Sequence, residues 1–300
     1  MPALYESARV ASSTLPFITP PRPPPYSVQY NVSYGDGDCS ECPSCSCYDL
    51  YTPARASAKR LVVFAHGGLW YSGSRAEINE VCTVLASSHG VACATIDYTY
   101  SKDLGGCCSE LTCNETYSRQ ASALASAVAH ASTSTSHGFD EVMLGGHSAG
   151  GHLSLLLSLR WSDYAPGVKV PDGFFGCEGI YNVSLWDDYD EAKFEGRYRC
   201  QNREAFGMPA FSPAWTSGSP TSLAVASAPA GPSLVIHSPG DDYVQQRQAI
   251  DLIAALKPPP HGKHQLDIAG VCVQGQHEDV LTGASAKDLA ECLARFDLGR

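Results

Sequence analysis

Ser148 stands in the run Gly145-Gly146-His147-Ser148-Ala149-Gly150-Gly151, between a strand-like Glu141-Val142-Met143-Leu144 and a helix-like Leu153-Ser154-Leu155-Leu156-Leu157. A hydroxyl is a weak nucleophile until a base takes its proton and a third group orients that base. A serine at a strand-to-helix turn, with glycine two residues to each side, has the G-x-S-x-G form that lifts a hydroxyl above a sheet edge. Only glycines fit the flanks of so sharp a turn. The pentapeptide alone is weak in a chain with 27 glycines, so the surrounding residues must carry the reading.

The base must stand at the same sheet edge. Downstream of Ser148 lie His152, His237, His261, His264 and His277. His152 falls on the helix after the serine and points away; His237 sits inside a strand. His261 and His264 flank a Pro-rich loop that precedes a strand, at the wrong end of the sheet. His277 follows a strand, at the carboxyl edge where open α/β sheets bind their ligands. The acid belongs in the loop after the preceding strand, and Ser238-Pro239-Gly240-Asp241-Asp242-Tyr243 offers two candidates. Helix capping is the ordinary use of an Asp there, so one can cap while the other orients His277.

Acyl transfer also creates a negative oxygen that must meet preorganised N–H groups. His66-Gly67-Gly68-Leu69-Trp70 directly follows the strand-like Leu61-Val62-Val63-Phe64-Ala65. Gly67 and Gly68 would donate from one side and the amide of Ala149 from the other, with His66 pinning the loop. Leu69 and Trp70 are large neighbours placed to wall a substrate.

These groups need a scaffold with several strands ending at one edge. Alternating runs at Tyr26–Tyr34 and Tyr48–Tyr51 predict a hairpin. After it, strands are expected at Leu61–Ala65, Val91–Tyr98, Glu141–Leu144, Gly173–Tyr181, Ser233–His237 and Gln265–Val273. Helices are expected at Ala76–Ser88, Tyr117–Ala131, from the serine turn to Trp161, at Val244–Leu256 and at Asp279–Phe296. Strands alternating with helices imply an α/β fold, a mostly parallel central sheet with helices on both faces. Residues 1–47 are expected to form a Pro-rich arm and a Cys-rich segment, and residues 48–300 one domain. An aromatic, Gly- and Pro-rich insert at about 185–230 breaks the alternation, as a lid or substrate wall would.

A net charge of −11 argues against nucleic acid and anionic membranes, and no apolar run reaches the ~20 residues of a membrane span. A small-molecule substrate is the expected partner, with a homodimer as the assembly left open. Residues 1–17 lack the apolar core of a secretory signal, which points to the cytoplasm. The 13 cysteines and the sequons at Asn31, Asn114 and Asn182 pull the other way. Cys39, Cys42, Cys45 and Cys47 invite a zinc reading, but structural zinc sites draw pairs from separated segments. Disulfides or free thiols are the expected state, with Cys107, Cys108 and Cys113 as further members. Neither a metal nor an organic cofactor is expected.

His66-Gly67-Gly68-Leu69-Trp70 resembles the HGGxW signature of the kynurenine formamidases (arylformamidases) of the α/β-hydrolase superfamily. The serine turn is similar to that of this family and of hormone-sensitive-lipase-like esterases. His237-Ser238-Pro239-Gly240-Asp241 resembles the family's acid loop, which favours Asp241 over Asp242, and Gln276-His277-Glu278-Asp279-Val280 resembles the segment around its catalytic histidine. The resemblance runs from about Tyr48 onward. It implies the α/β-hydrolase fold, a Ser148-His277-Asp241 triad without cofactor, and cleavage of an aryl formamide such as N-formylkynurenine. A short-chain carboxylesterase of the same fold is the alternative. Thr99-Tyr100, where such esterases carry Arg-Leu, and the Cys-rich segments depart from the pattern.

Overall fold

The computed structural model describes residues 25–35, 39, 45–54, 58–106, 115–133 and 138–299. The arm as far as Pro24, Cys42, the cysteines at 107, 108 and 113 and the sequon at Asn114 lie outside them.

Strands β1 (Tyr26–Ser33) and β2 (Cys47–Pro53) form the expected antiparallel hairpin. They are followed by β3 (Arg60–Ala65), helix α1 (Asn79–Val84), β4 (Ala92–Ile96), α2 (Tyr117–Thr133), β5 (Glu141–His147) and α3 (Ala149–Tyr164). Strand β6 (Gly173–Cys177) leads into the insert, which folds as α4 (Val183–Phe194), α5 (Arg199–Phe206), α6 (Pro213–Ser217) and α7 (Pro220–Ala226). The chain closes with β7 (Ser233–Ile236), α8 (Arg247–Ala255), β8 (Gln265–Asp267) and α9 (Gly283–Arg295). Among the described residues the strands form one sheet in the order β1-β2-β4-β3-β5-β6-β7-β8. All neighbours from β4 to β8 run parallel, and β2 joins β4 antiparallel. The sheet therefore crosses the boundary expected at residue 47, because β1 is part of it.

Side-chain alternation along β3 decides which layer covers which face. Leu61, Val63 and Ala65 face α2 and α3, meeting Leu124, Val128, Leu153 and Leu156. Val62 and Phe64 face α1 and α9, meeting Val81, Leu289 and Leu293. Each such fully buried aliphatic side chain contributes about 1.5–3 kcal/mol of transfer free energy. Burial on both faces fixes β3, β5 and β6 at the middle of the sheet, and the functional loops leave from their carboxyl ends.

Several expected elements are shorter than their sequence patterns; strand β6, for one, ends at Cys177 and not at Tyr181. Strand β8 spans Gln265–Asp267 and not Gln265–Val273. The Asp267 carboxylate accepts from the amides of Ala269, Val271 and Cys272, turning the chain out of the sheet with Gly270 at φ +80°. The last helix starts at Gly283, because residues 279–281 form a separate 3-10 turn.

Disulfides join Cys39 to Cys47, Cys82 to Cys93 and Cys272 to Cys292, and Cys45 is also disulfide-bonded. Sulfurs joined in this way offer no thiolate to zinc, so the cluster reading fails for Cys39, Cys45 and Cys47. Among the described residues no helix is long and apolar enough to cross a membrane.

Candidate active site

Ser148 lies between the last residue of β5 and the first of α3, with φ +52° and ψ −119°. Such a conformation is strained for any residue with a side chain. It persists because its surroundings allow no alternative. The Ser148 amide donates to the Cys177 carbonyl at 2.8 Å. A Cβ at Gly146 would strike the Gly150 backbone, and one at Gly150 would strike the carbonyls of Ala65 and His66. Strand β3 and helix α3 thus touch backbone to backbone at the turn. Ala149 is the first residue of α3, and its N–H has no acceptor within the helix.

The loop after β3 is fixed from beneath. His66 Nδ1 is 2.7 Å from the Gly67 carbonyl, and Tyr98 donates its hydroxyl proton to the His66 carbonyl at 3.0 Å. A carbonyl can only accept, so His66 carries its proton on Nδ1; the ring stacks on Tyr98 with centroids 4.4 Å apart. Gly68, Leu69 and Trp70 have φ of +99°, +51° and +62°. Three successive left-handed residues turn the chain back on itself, and the Gly68 carbonyl accepts from both Tyr71 and Ser72 at 3.0 Å. A Cβ at Gly67 would lie 3.0 Å from Ser148 Cβ, so the absence of a side chain there is what brings the loop against the serine.

Leu69 lines the cavity beside Ser148, whereas Trp70 does not. Trp70 is fully buried, donates its indole N–H to His152 Nδ1 at 3.0 Å, and packs edge-on against Phe206. The Gln120 side chain and the Ser101 amide both donate to its carbonyl. Trp70 is therefore a peg that locks the loop to α2 and α3, not a substrate wall.

His277 and Asp241 meet at 2.8 Å, Nδ1 to Oδ2. Asp241 serves two loops at once, because its Oδ1 accepts from the amides of Tyr243 and Val244 at 2.8 and 3.0 Å. Burial raises its pKa, but the hydrogen bond and charge of His277 outweigh that, leaving the carboxyl below its ordinary value. Asp242 is exposed and pairs with Lys193 at 3.6 Å. His237 Nε2 sits 3.5 Å from Asp241 Oδ2, the oxygen that also meets His277, and donates to the Val244 carbonyl, which keeps it in a supporting position. His264 Nδ1 accepts from the Ser233 amide at the start of β7, away from the site.

Ser148 and His277 open on one cavity of about 340 Å³, within the usual range for a small-molecule site. Gly68 and Leu69 form one wall. Tyr198, Gln201 and Tyr243 line it from the insert and from the loop after β7. Tyr198 does not stand out in the sequence, since nothing local distinguishes it from the other aromatics of residues 185–230, and no local pattern marks Gln201 or Tyr243 as lining. Trp186 and Trp215, the larger rings of that insert, are fully buried packing.

A second carboxyl also reaches the histidine. Glu178 follows β6, is fully buried, and places Oε2 3.3 Å from His277 Nδ1. The strand-end rule that singled out Asp241 applies equally to Glu178 in Phe174-Phe175-Gly176-Cys177-Glu178. His147, Glu178 and His277 bring one ligand-type atom each within 4.8 Å, the one such group among the described residues. His147 Nε2 must donate to the His277 carbonyl at 2.9 Å, which leaves it no lone pair there for a cation.

Burial holds the imidazoles of His66 and His152 neutral, lowering each pKa to about 4. In the unfolded chain both would bind protons near pH 6.5. Their contribution to stability is complete above that value and is lost as pH falls toward 4. Denaturant unfolding at a series of pH values is expected to show uptake of about two protons between pH 6.5 and 4 from this pair. Uptake well below one proton would mean that the two rings are not buried neutral.

Comparison with known proteins agrees with the architecture. A family model described as the alpha/beta hydrolase fold matches residues 62–175, the stretch from β3 through β6. No curated protein sequence matches the chain. Among solved structures, esterase B from Lactobacillus rhamnosis superposes with a TM-score of 0.68 at 17% identity, covering 91% of this chain and 86% of that one. A putative thioesterase from a Silicibacter species gives 0.56 at 22% identity, covering 90% and 83%. Esterase 2 of Thermogutta terrifontis, solved with a phosphoramyl group from tabun, gives 0.58 at 18%, covering 91% and 92%. The chain has the α/β-hydrolase fold.

Proposed function

We propose that this chain is a serine hydrolase of esterase type. Ser148 attacks the acyl carbon and His277 takes the hydroxyl proton. Asp241 holds the resulting imidazolium, and the amides of Gly67, Gly68 and Ala149 receive the oxyanion. His277 then gives its proton to the leaving group, and water releases the acyl group from Ser148. The observation that carries this reading is the 2.8 Å contact of His277 Nδ1 with a buried Asp241, under a cavity shared with Ser148. The esterase names of the structural neighbours support it.

A finer reading is hydrolysis of an aryl formamide such as N-formylkynurenine. The HGGLW loop favours it, because Leu69 stands beside the serine where it could close the space behind a formyl carbon. Assaying kcat/KM for formyl, acetyl and butyryl groups on one aryl leaving group separates the two. An esterase pocket gains about 1 kcal/mol or more for each methylene that fits, so the values rise toward butyryl. A steep fall from formyl, with turnover of N-formylkynurenine, would select the formamide. Turnover of none of these substrates would overturn the serine-hydrolase reading itself.

The disulfides favour an oxidising compartment over the cytoplasm expected from residues 1–17.

A further inference from the structure

The contacts of Glu178 are those of a designed position, not of a stray acid. Its backbone is held at φ +53°, with its amide donating to the Ile236 carbonyl at 2.8 Å. Oε1 accepts from the Ser238 amide at 3.3 Å, at the start of the loop that carries Asp241. Oε2 lies 3.3 Å from His147 Nε2 and 3.3 Å from His277 Nδ1. A single side chain thus touches the strand before the serine, the acid loop and the histidine.

We propose that Glu178 is a second carboxyl of the catalytic centre, a positioning residue that steadies His277 beside Asp241. It accepts the Nδ1–H hydrogen bond when Asp241 cannot. The proposal rests on the serine-hydrolase reading of the site.

Two carboxylates around one imidazole cannot both ionise without repulsion. Burial first, and then the Asp241 charge, push the Glu178 pKa up to about 9, so near neutral pH Asp241 carries the charge and Glu178 the proton. The other titratable groups facing Glu178 are His147 on β5, Cys177 on β6, Tyr181 just beyond it, and His277 with Glu278 in the last loop. With Asp241 neutralised, the repulsion is gone and Glu178 ionises at lower pH, leaving an acceptor 3.3 Å from Nδ1.

The test measures kcat and KM for p-nitrophenyl acetate from pH 6 to 9.5 in wild type, Glu178→Gln, Asp241→Asn and the double variant, with Asp242→Asn as a control. Asp241→Asn is expected to lose about 10²–10³-fold in kcat, less than the roughly 10⁴-fold of an unaided triad. Its residual rate should climb with pH as Glu178 ionises. Adding Glu178→Gln should remove a further tenfold or more, by the order-of-magnitude size of one charge-assisted contact, and flatten the profile. Glu178→Gln alone should lower kcat severalfold with KM little changed. A double variant equal to Asp241→Asn in rate and pH profile would overturn the proposal, as would Asp241→Asn showing no residual rate or a flat one.

A second measurement needs no substrate. The folded chain keeps the Glu178 proton that the unfolded chain has lost above about pH 4.5, so wild-type stability falls relative to Glu178→Gln as pH rises toward 9. A difference in unfolding temperature that does not change with pH would sink the idea even if Glu178→Gln were inactive. Wild-type protein that hydrolyses no ester, yet shows this slope, would count against the function proposed above and not against the paired carboxyls.

Discussion

Ser148→Ala and His277→Ala are each expected to lower kcat for an ester substrate by about 10⁴–10⁶-fold. The folded structure should survive, since Ser148→Ala removes only a hydroxyl and the Asp241 carboxylate keeps the amides of Tyr243 and Val244 when the imidazole is lost. The members of a triad act as one unit, so the double variant should be scarcely worse than either single one. The decisive comparison is the pair of single variants against the double in one active-site-titrated assay. Near-native turnover by Ser148→Ala would remove the mechanism. Additive losses in the double variant would mean that the two residues act in separate steps.

The second large effect concerns Gly150. An alanine methyl there would overlap the carbonyl oxygens of Ala65 and His66, which are backbone atoms of β3 and of the loop that it feeds. Neither can swing aside as a side chain would, so α3 must lift off the sheet. Overpacking of this kind costs about 1–3 kcal/mol where side chains can adapt, and more where they cannot. Gly150→Ala is expected to unfold about 10 °C or more below wild type, or to be insoluble. Lifting α3 also carries Ser148 and the Ala149 amide away from Gly67 and Gly68, so kcat should collapse in whatever protein folds. Gly151→Ala, whose added methyl would meet its nearest neighbour at 3.0 Å, should be much milder. Equal unfolding temperatures for the two variants would refute the account of the turn.

Periodicity made most of the sheet legible in the sequence, and the strand-end rule pointed to His277 and the acid loop, which the structure brings together. Which of Asp241 and Asp242 turns inward was not legible from spacing; it depends on which carboxylate can meet the amides of Tyr243 and Val244. The pattern of Gln265–Val273 reads as a strand because apolar residues recur along it, although the Asp267 turn takes the chain out of the ladder and leaves Val271 exposed. Trp70 looked like a wall because a large ring follows two glycines. Its partner His152 lies 82 residues away, and no local pattern records such a pairing. Glu178 satisfies the same strand-end rule as Asp241, but one acid is enough for a triad, so the rule alone gives a second no role.

The segment that presents His277 takes its shape from α9 more than from the sheet. After the short β8 it is held by the Ser285 hydroxyl, which bonds both the amide and the carbonyl of Gln274, and by the Cys272–Cys292 bridge. Helix α9 in turn rests on α1 through the contact of the Gly283 amide with Glu80. On the proposed reading, the histidine loop is anchored by a helix outside the cavity lining, while the insert brings Tyr198 and Gln201 to the cavity. Laboratory evolution for speed would then have a lever on α9, and selection for a new substrate one on the insert.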